Sequence, residues 1–373
     1  MQALKQLIEI SRFYGEDPAY VIAGGGNTSF KDEERIWIKA SGIPLAGIGE
    51  EGFVCLSRKG LGRVESATYN DDPAIREEEV KRDMHEAIIS PGNLRPSVET
   101  SLHNLIGYPF VVHTHPTLVN GLMCSNDARE EVSHRFGDGA LYVEYTDPGY
   151  ILFRKMQERI SGYADRHGSS PRIIFLQNHG VFVAGDTPGE IRELYRTIDR
   201  KISQGKDLSL PSSDPVTFES GITRTLGDHF GKRGVLTRAV RSQLIDHFTE
   251  NIDRFLKVSR PFSPDIIVYC KSNYLFLGKD LEGSLAVDAC MQFEEDHGYF
   301  PKVILEEGGG LIAAEENERS LETVIAVYAD LMKISYYSES FGGPHFMTQD
   351  QIAFIDNWEV EHYRRKVARE RKP

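Results

Sequence analysis

Two distant stretches of this chain carry the same order of signals: PRIIFLQNHGVFVAG from Pro171 and PKVILEEGGGLIAAE from Pro301. Each reads as an apolar strand, a tight turn and a second apolar strand. A helix that contains Lys-Ile-Ser near its end follows in both. Pro171, Ile174, Gly180 and Ala184 fall opposite Pro301, Ile304, Gly310 and Ala314. Short β-branched runs bounded by Pro and Gly predict buried strands, and a hairpin that feeds a helix demands an α/β architecture. Two readings stay open: a duplicated unit, or two unrelated hairpin–helix units. Under the first, the second copy has lost His179, which falls opposite Gly309.

At 373 residues the chain exceeds one ordinary core, so two domains are expected. The Ser-, Pro- and Asp-rich segment 204–220 divides it into domains at 1–205 and 221–373, with 206–220 as linker. In the first, helices are predicted at 1–14, 77–89, 98–106, 151–167 and 190–203. Strands are predicted at 20–23, 35–39, 110–115, 141–145, 172–176 and 181–184. Beyond the linker, strands are predicted at 265–270 (DIIVYC), 274–277 and 302–305. A long helix follows at 321–337, then a charged helical tail at 350–371.

The net charge of −13 leaves no basic stripe for nucleic acid. No run of 18 apolar residues predicts a membrane span. The N-terminus lacks a secretory pattern, and Cys55, Cys124, Cys270 and Cys290 are scattered, which predicts a reduced, cytoplasmic protein. A small phosphorylated metabolite remains compatible with the acidic balance, because a local nest of N–H groups suffices to bind it.

The chemistry is concentrated in the first domain. His113 and His115 stand two apart on a predicted strand, so both imidazoles face one side. His179, at the hairpin turn, can complete a set of three nitrogen ligands with an open position, the pattern of a catalytic metal site. Imidazole ligands favour zinc. A His-Xaa-His pair on a strand is by itself more often structural than metal-binding, and the reading gains force only with the remaining features. Glu99 near a helix start is either a favourable charge for the helix dipole or a general acid/base. The loop 24–29 (GGGNTS) and the turns at Ser41-Gly42 and Ser97 offer N–H and hydroxyl groups to an anion. No Walker lysine follows these glycines and no dinucleotide fingerprint is present. Lys39 reads as a solvent-facing strand residue or an added phosphate contact. Tyr145 and Asp147 lie on a turn that could approach the histidines.

Taken together, Gly25-Gly26-Asn27-Thr28-Ser29, Ser41-Gly42-Ile43-Pro44, Pro96-Ser97-Val98-Glu99, His113-Thr114-His115 and Gln177-Asn178-His179-Gly180 resemble the class II aldolase/adducin family over roughly residues 1–205. The later region, including Phe354-Ile355-Asp356-Asn357-Trp358, is similar to the segment after the aldolase part of bifunctional rhamnulose-phosphate aldolase/dehydrogenases. The resemblance implies a three-layer α/β/α domain with a mixed, largely antiparallel sheet, plus a smaller C-terminal α/β domain. It implies a divalent metal ion, most simply Zn2+, on His113, His115 and His179, with Glu99 as acid/base. Asn27, Ser41, Gly42 and Ser97 then match positions that hold the substrate phosphate. Val98 departs from the family, standing where many members carry a second serine. The implied activity is retro-aldol cleavage of a ketose 1-phosphate into dihydroxyacetone phosphate and an aldehyde, by a homo-oligomer such as a tetramer. In this family a neighbouring subunit can supply the proton donor to the aldehyde oxygen. A pentose-phosphate 4-epimerase on the same scaffold, a non-catalytic adducin-like module and a metal-hydroxide hydrolase stay open beside it.

Overall fold

A computed structural model describes residues 2–357. The predicted tail therefore lies outside the described residues beyond Asn357, as does Trp358. The chain divides into two units, one of residues 1–123 with 128–205 and one of 124–127 with 206–373.

The first unit is built on seven strands: β1 (Asn27–Lys31), β2 (Arg35–Lys39), β3 (Phe53–Ser57), β4 (Phe110–Thr114), β5 (Leu141–Val143), β6 (Ile173–Leu176) and β7 (Gly180–Gly185). Their order is β3-β2-β1-β4-β7-β6-β5. Every neighbouring pair is antiparallel except β5–β6, which is parallel. The alternation of side chains explains the layers. Ile174, Leu176, Phe182 and Ala184 point to one face, against Leu152, Met156 and Ile160 of the Tyr150–His167 helix. The opposite face meets the Pro188–Ser203 helix, whose Tyr195 hydroxyl lies 2.7 Å from the Thr114 hydroxyl. The result is the expected three-layer α/β/α sandwich with a mixed, largely antiparallel sheet.

Several local expectations are corrected. Residues 20–23 form turns and irregular backbone, while the segment read as a polar loop, Asn27–Lys31, is a buried strand. Lys39 is buried, with its ammonium donating to the Ile43 carbonyl at 2.7 Å, so it is not solvent-facing. Residues 265–270 form a helix, Pro264–Cys270, instead of a strand.

The second unit carries β8 (Val216–Thr217), β9 (Leu236–Arg241), β10 (Leu275–Leu277), β11 (Val303–Glu306) and β12 (Gly310–Glu315). β8 lies inside the segment expected to be linker. Read from its other edge, this sheet runs β8-β9-β12-β11-β10, the same path as β1-β4-β7-β6-β5. The correspondence extends to register. Leu176 pairs with Gly180 and Glu306 with Gly310; Ile173 pairs with Val183 and Val303 with Ala313. β5–β6 and β10–β11 are both parallel, with Val143 opposite Leu176 and Leu277 opposite Glu306. At the turns, the Asn178 N–H reaches the Met123 carbonyl, which ends the helix after β4. The Gly308 N–H reaches the Thr249 carbonyl, which ends the helix after β9. The helices after β7 and β12 are both capped by a side chain, Thr187 in one and Asn317 in the other. The second unit thus repeats the path of five contiguous strands of the first, from β1 to the edge strand β5.

Candidate metal and acid/base site

β4 delivers His113, fully buried, and the chain delivers His115 just past the strand end. Their Nε2 atoms are 3.0 Å apart. The third imidazole comes from the β6–β7 turn. Asn178 adopts the left-handed conformation there (φ +54°), which asparagine tolerates better than most residues. The turn is tied down on both sides, by the Asn178 N–H to Met123 and by the Asn120 amide donating to the His179 carbonyl at 3.2 Å. His179 Nε2 thereby sits 3.3 Å from His113 Nε2. All three ligand atoms lie within 4.8 Å of one another.

The donor chemistry fits a cation. Ligands about 2.0–2.1 Å from a tetrahedral zinc stand roughly 3.3–3.4 Å apart, close to the separations of 3.0 and 3.3 Å between His113 and its two neighbours. His113 Nδ1–H donates to the Val181 carbonyl at 3.0 Å, which leaves the Nε2 lone pair facing the other two rings. Its ring stacks on Phe182 at 4.1 Å, fixing the plane. Burial pushes the His113 imidazole well below its ordinary pKa.

Glu99 faces this cluster from just before the Thr100–Leu105 helix. Its Oε1 is 3.5 Å from Nε2 of both His113 and His179, buried, and without a hydrogen-bond partner. Its Oε2 accepts from the Asn27 amide. Burial pushes the carboxyl up, but the imidazoles of His113 and His179 and the Asn27 amide outweigh that push and hold it to about 2. An ionised carboxylate opposite three imidazole nitrogens is an electrostatic hole for a positive charge.

The segments expected to bind phosphate meet beside Glu99. The Ser97 hydroxyl accepts from the Glu99 N–H at 3.2 Å. A bridge between Ala40 and Pro96 and a bond from the Ser41 N–H to the Arg95 carbonyl bring Ser41-Gly42 alongside Ser97. Gly42 has φ +78°, a turn that suits glycine. Asn27 is 6% exposed and engaged with Glu99 and His103. Val98 is 37% exposed. Tyr145 is tied by its N–H to the Gln177 side chain, two residues before His179.

Sequence reasoning missed the supports Val181 and Phe182 for His113 and Asn120 for the His179 turn. His103, one helical turn after Glu99, reads from sequence as a support of the helix face; its bonds to Ser29 and Asn27 are what the sequence does not show.

Residues 5–203 match the family described as Class II Aldolase and Adducin N-terminal domain. The chain belongs to that family. A curated relative, the uncharacterized oxidoreductase YuxG of Bacillus subtilis, is 26% identical over 195 residues, which are 50% of this chain and 27% of that protein. The chain thus spans about a quarter of the length of that relative. Among solved structures, the N-terminal class II aldolase domain of a conserved protein from Thermoplasma acidophilum is 23% identical. That alignment covers 53% of this chain and 91% of that one, with a TM-score of 0.45. An L-fuculose-1-phosphate aldolase from Thermus thermophilus is 17% identical over 53% of this chain and 93% of its own, at a TM-score of 0.36. No helix among the described residues of this class II aldolase/adducin chain is long and apolar enough to cross a membrane.

Proposed function

We propose that this chain is a metal-dependent aldehyde-lyase that cleaves a ketose 1-phosphate into dihydroxyacetone phosphate and an aldehyde. The observation that carries the reading is the convergence of three Nε2 atoms on a space that the partnerless Glu99 Oε1 also faces. His113, His115 and His179 would hold a divalent cation, with zinc the best match to an all-imidazole set. Such a cation supplies Lewis-acid stabilisation of the negative charge that develops when the carbon–carbon bond breaks.

The remaining work falls to this chain's own groups. Glu99 Oε1 takes the proton from the carbon beside the carbonyl in the joining direction and returns it in cleavage. Its carboxylate is low enough in pKa to be ionised at neutral pH, and Oε1 has no protein donor to displace. Ser41, Gly42 and Ser97 present N–H and hydroxyl groups from two adjoining turns and would anchor the phosphate. Asn27 has one amide hydrogen left for the same purpose, since the other is given to Glu99.

The test is turnover of ketose 1-phosphates with and without a chelator, with Glu99→Gln alongside wild type. Free aldehyde, loss of activity on chelation and a roughly 10²–10⁴-fold lower kcat in the variant are expected. Chelator-insensitive cleavage would remove the metal role. An epimerised sugar as the only product would replace the lyase with an epimerase.

A further inference from the structure

β1 and the Thr100–Leu105 helix enclose a line of hydrogen bonds that ends on the Glu99 carboxylate and includes two groups, Ser29 and His103, with no part in the proposed chemistry. Asn27 and Ser29, two apart on β1, project to the same side. Between them and the helix sits His103, fully buried and edge-on to Phe182 at 5.3 Å. The Ser29 hydroxyl is 2.7 Å from His103 Nδ1, and His103 Nε2 meets Asn27 Oδ1. The Asn27 amide then donates to Glu99 Oε2. Lys31 Nζ holds the His103 carbonyl at 2.7 Å, which fixes the backbone beneath the ring.

With a neutral ring, only one set of proton positions satisfies every member. Glu99 Oε2 can only accept, so Asn27 must present its NH2 to it and its Oδ1 to His103. Asn27 Oδ1 can only accept, so His103 carries its proton on Nε2. Nδ1 is then bare and accepts from the Ser29 hydroxyl. Each donor points the same way, from Ser29 towards Glu99. A buried, neutral ring keeps that polarity, and burial pushes His103 down to about 3.

We propose that His103 is a positioning residue which, through Asn27, holds Glu99 with Oε2 tethered and Oε1 turned to the three imidazoles. Without the Nε2 proton the Asn27 amide can rotate by half a turn, set Oδ1 against the carboxylate and release Glu99 from its orientation. The proposal rests on the acid/base reading of Glu99. It assigns Asn27 first to orienting the carboxylate and only second to the phosphate.

The experiment compares His103→Leu and His103→Gln in the full metal-loaded chain, with a tautomer measurement on wild type. Gln retains an N–H donor at about the reach of Nε2. His103→Leu is expected to lower kcat roughly 10–100-fold, the usual effect of removing such a support. KM and bound metal should stay within about twofold of wild type, and His103→Gln should recover most of the loss. Nitrogen-15 spectra of wild type should show His103 protonated at Nε2 and bare at Nδ1. The proposal is overturned if the spectra show the Nδ1–H form, if His103→Leu keeps wild-type kcat, or if Gln is as damaging as Leu in a folded, metal-loaded protein. Should no ketose 1-phosphate be cleaved by wild type, the lyase reading fails while the spectra still decide the tautomer.

Discussion

Replacing Gly180 by alanine tests how tightly the hairpin turn is built against the histidines. A Cβ at Gly180 would stand 2.5 Å from the Thr114 carbonyl oxygen, 2.7 Å from His115 Cδ2 and 3.4 Å from His113 Cε1. Ordinary contacts need about 3.5–4.0 Å between carbons, so β4 must move off β7 or the His115 ring must swing. Backbone on one side blocks the cheaper relief, and overpacking of this kind destabilises by about 1–3 kcal/mol. The proposed metal site suffers as well, since ligand distances must hold to about 0.2 Å; at least a 10-fold loss of zinc affinity is expected. Gly310 is the matched control in the second unit, where a Cβ would meet Phe218 Cε1 at 2.7 Å and the Val240 carbonyl at 2.8 Å. Gly310→Ala should destabilise at least as much, because φ +150° there already strains a residue with a Cβ, with zinc affinity unchanged. Urea unfolding of the metal-free proteins and zinc titration against a chromogenic chelator read the two quantities separately. The reasoning fails if Gly180→Ala binds zinc like wild type, or if Gly310→Ala weakens zinc as much.

Three further outcomes are expected. Native His103 gains its proton near pH 3 while the unfolded chain's histidine gains it near 6.5, so between those values the unfolded state binds more protons and stability falls as pH falls. From pH 7 to pH 5 this single group removes about 2 kcal/mol; a His103→Gln variant with the same pH slope in chemical unfolding would contradict it. Lys302→Met leaves the buried Glu315 carboxylate without its ammonium and should cost about 3–5 kcal/mol, whereas Lys302→Met with Glu315→Leu should be close to neutral. Equal losses in the single and double variants would argue against a buried pair. His113→Ala should abolish stoichiometric zinc binding by elemental analysis, and retention of one ion per chain would remove His113 from the ligand set.

The hairpins were legible in the sequence because apolar β-branched runs between Pro and Gly leave few alternatives. His113 and His115 were legible because a period of two on a strand places side chains without tertiary knowledge. β1 was hidden for the opposite reason. Its Asn27, Thr28 and Ser29 are polar yet buried, and their partners Glu99, Ser11 and His103 are far away in sequence. Local periodicity carries no record of such pairing. DIIVYC was misread because a short, wholly apolar segment has no face to betray its period. As a helix it buries Ile266, Ile267, Val268 and Cys270 together, and the cue that outweighed β-branching was Ser263-Pro264, a favoured helix start.

The repeated register also bears on how the chain finds its fold. Two hairpins of matching length and apolar content give a half-folded polypeptide the chance to zip the wrong strands, a known hazard of repeat proteins. Their edges differ in charge, however. Lys302 meets Glu315 in a buried pair, while Arg172 turns outward to Asp186 and Glu190, and Gly185 fills the place of Glu315. Zipping β11 onto β7 would bury the Lys302 ammonium across from a glycine, a penalty of several kcal/mol. The Lys302–Glu315 pair thus favours β12 over β7 as the mate of β11.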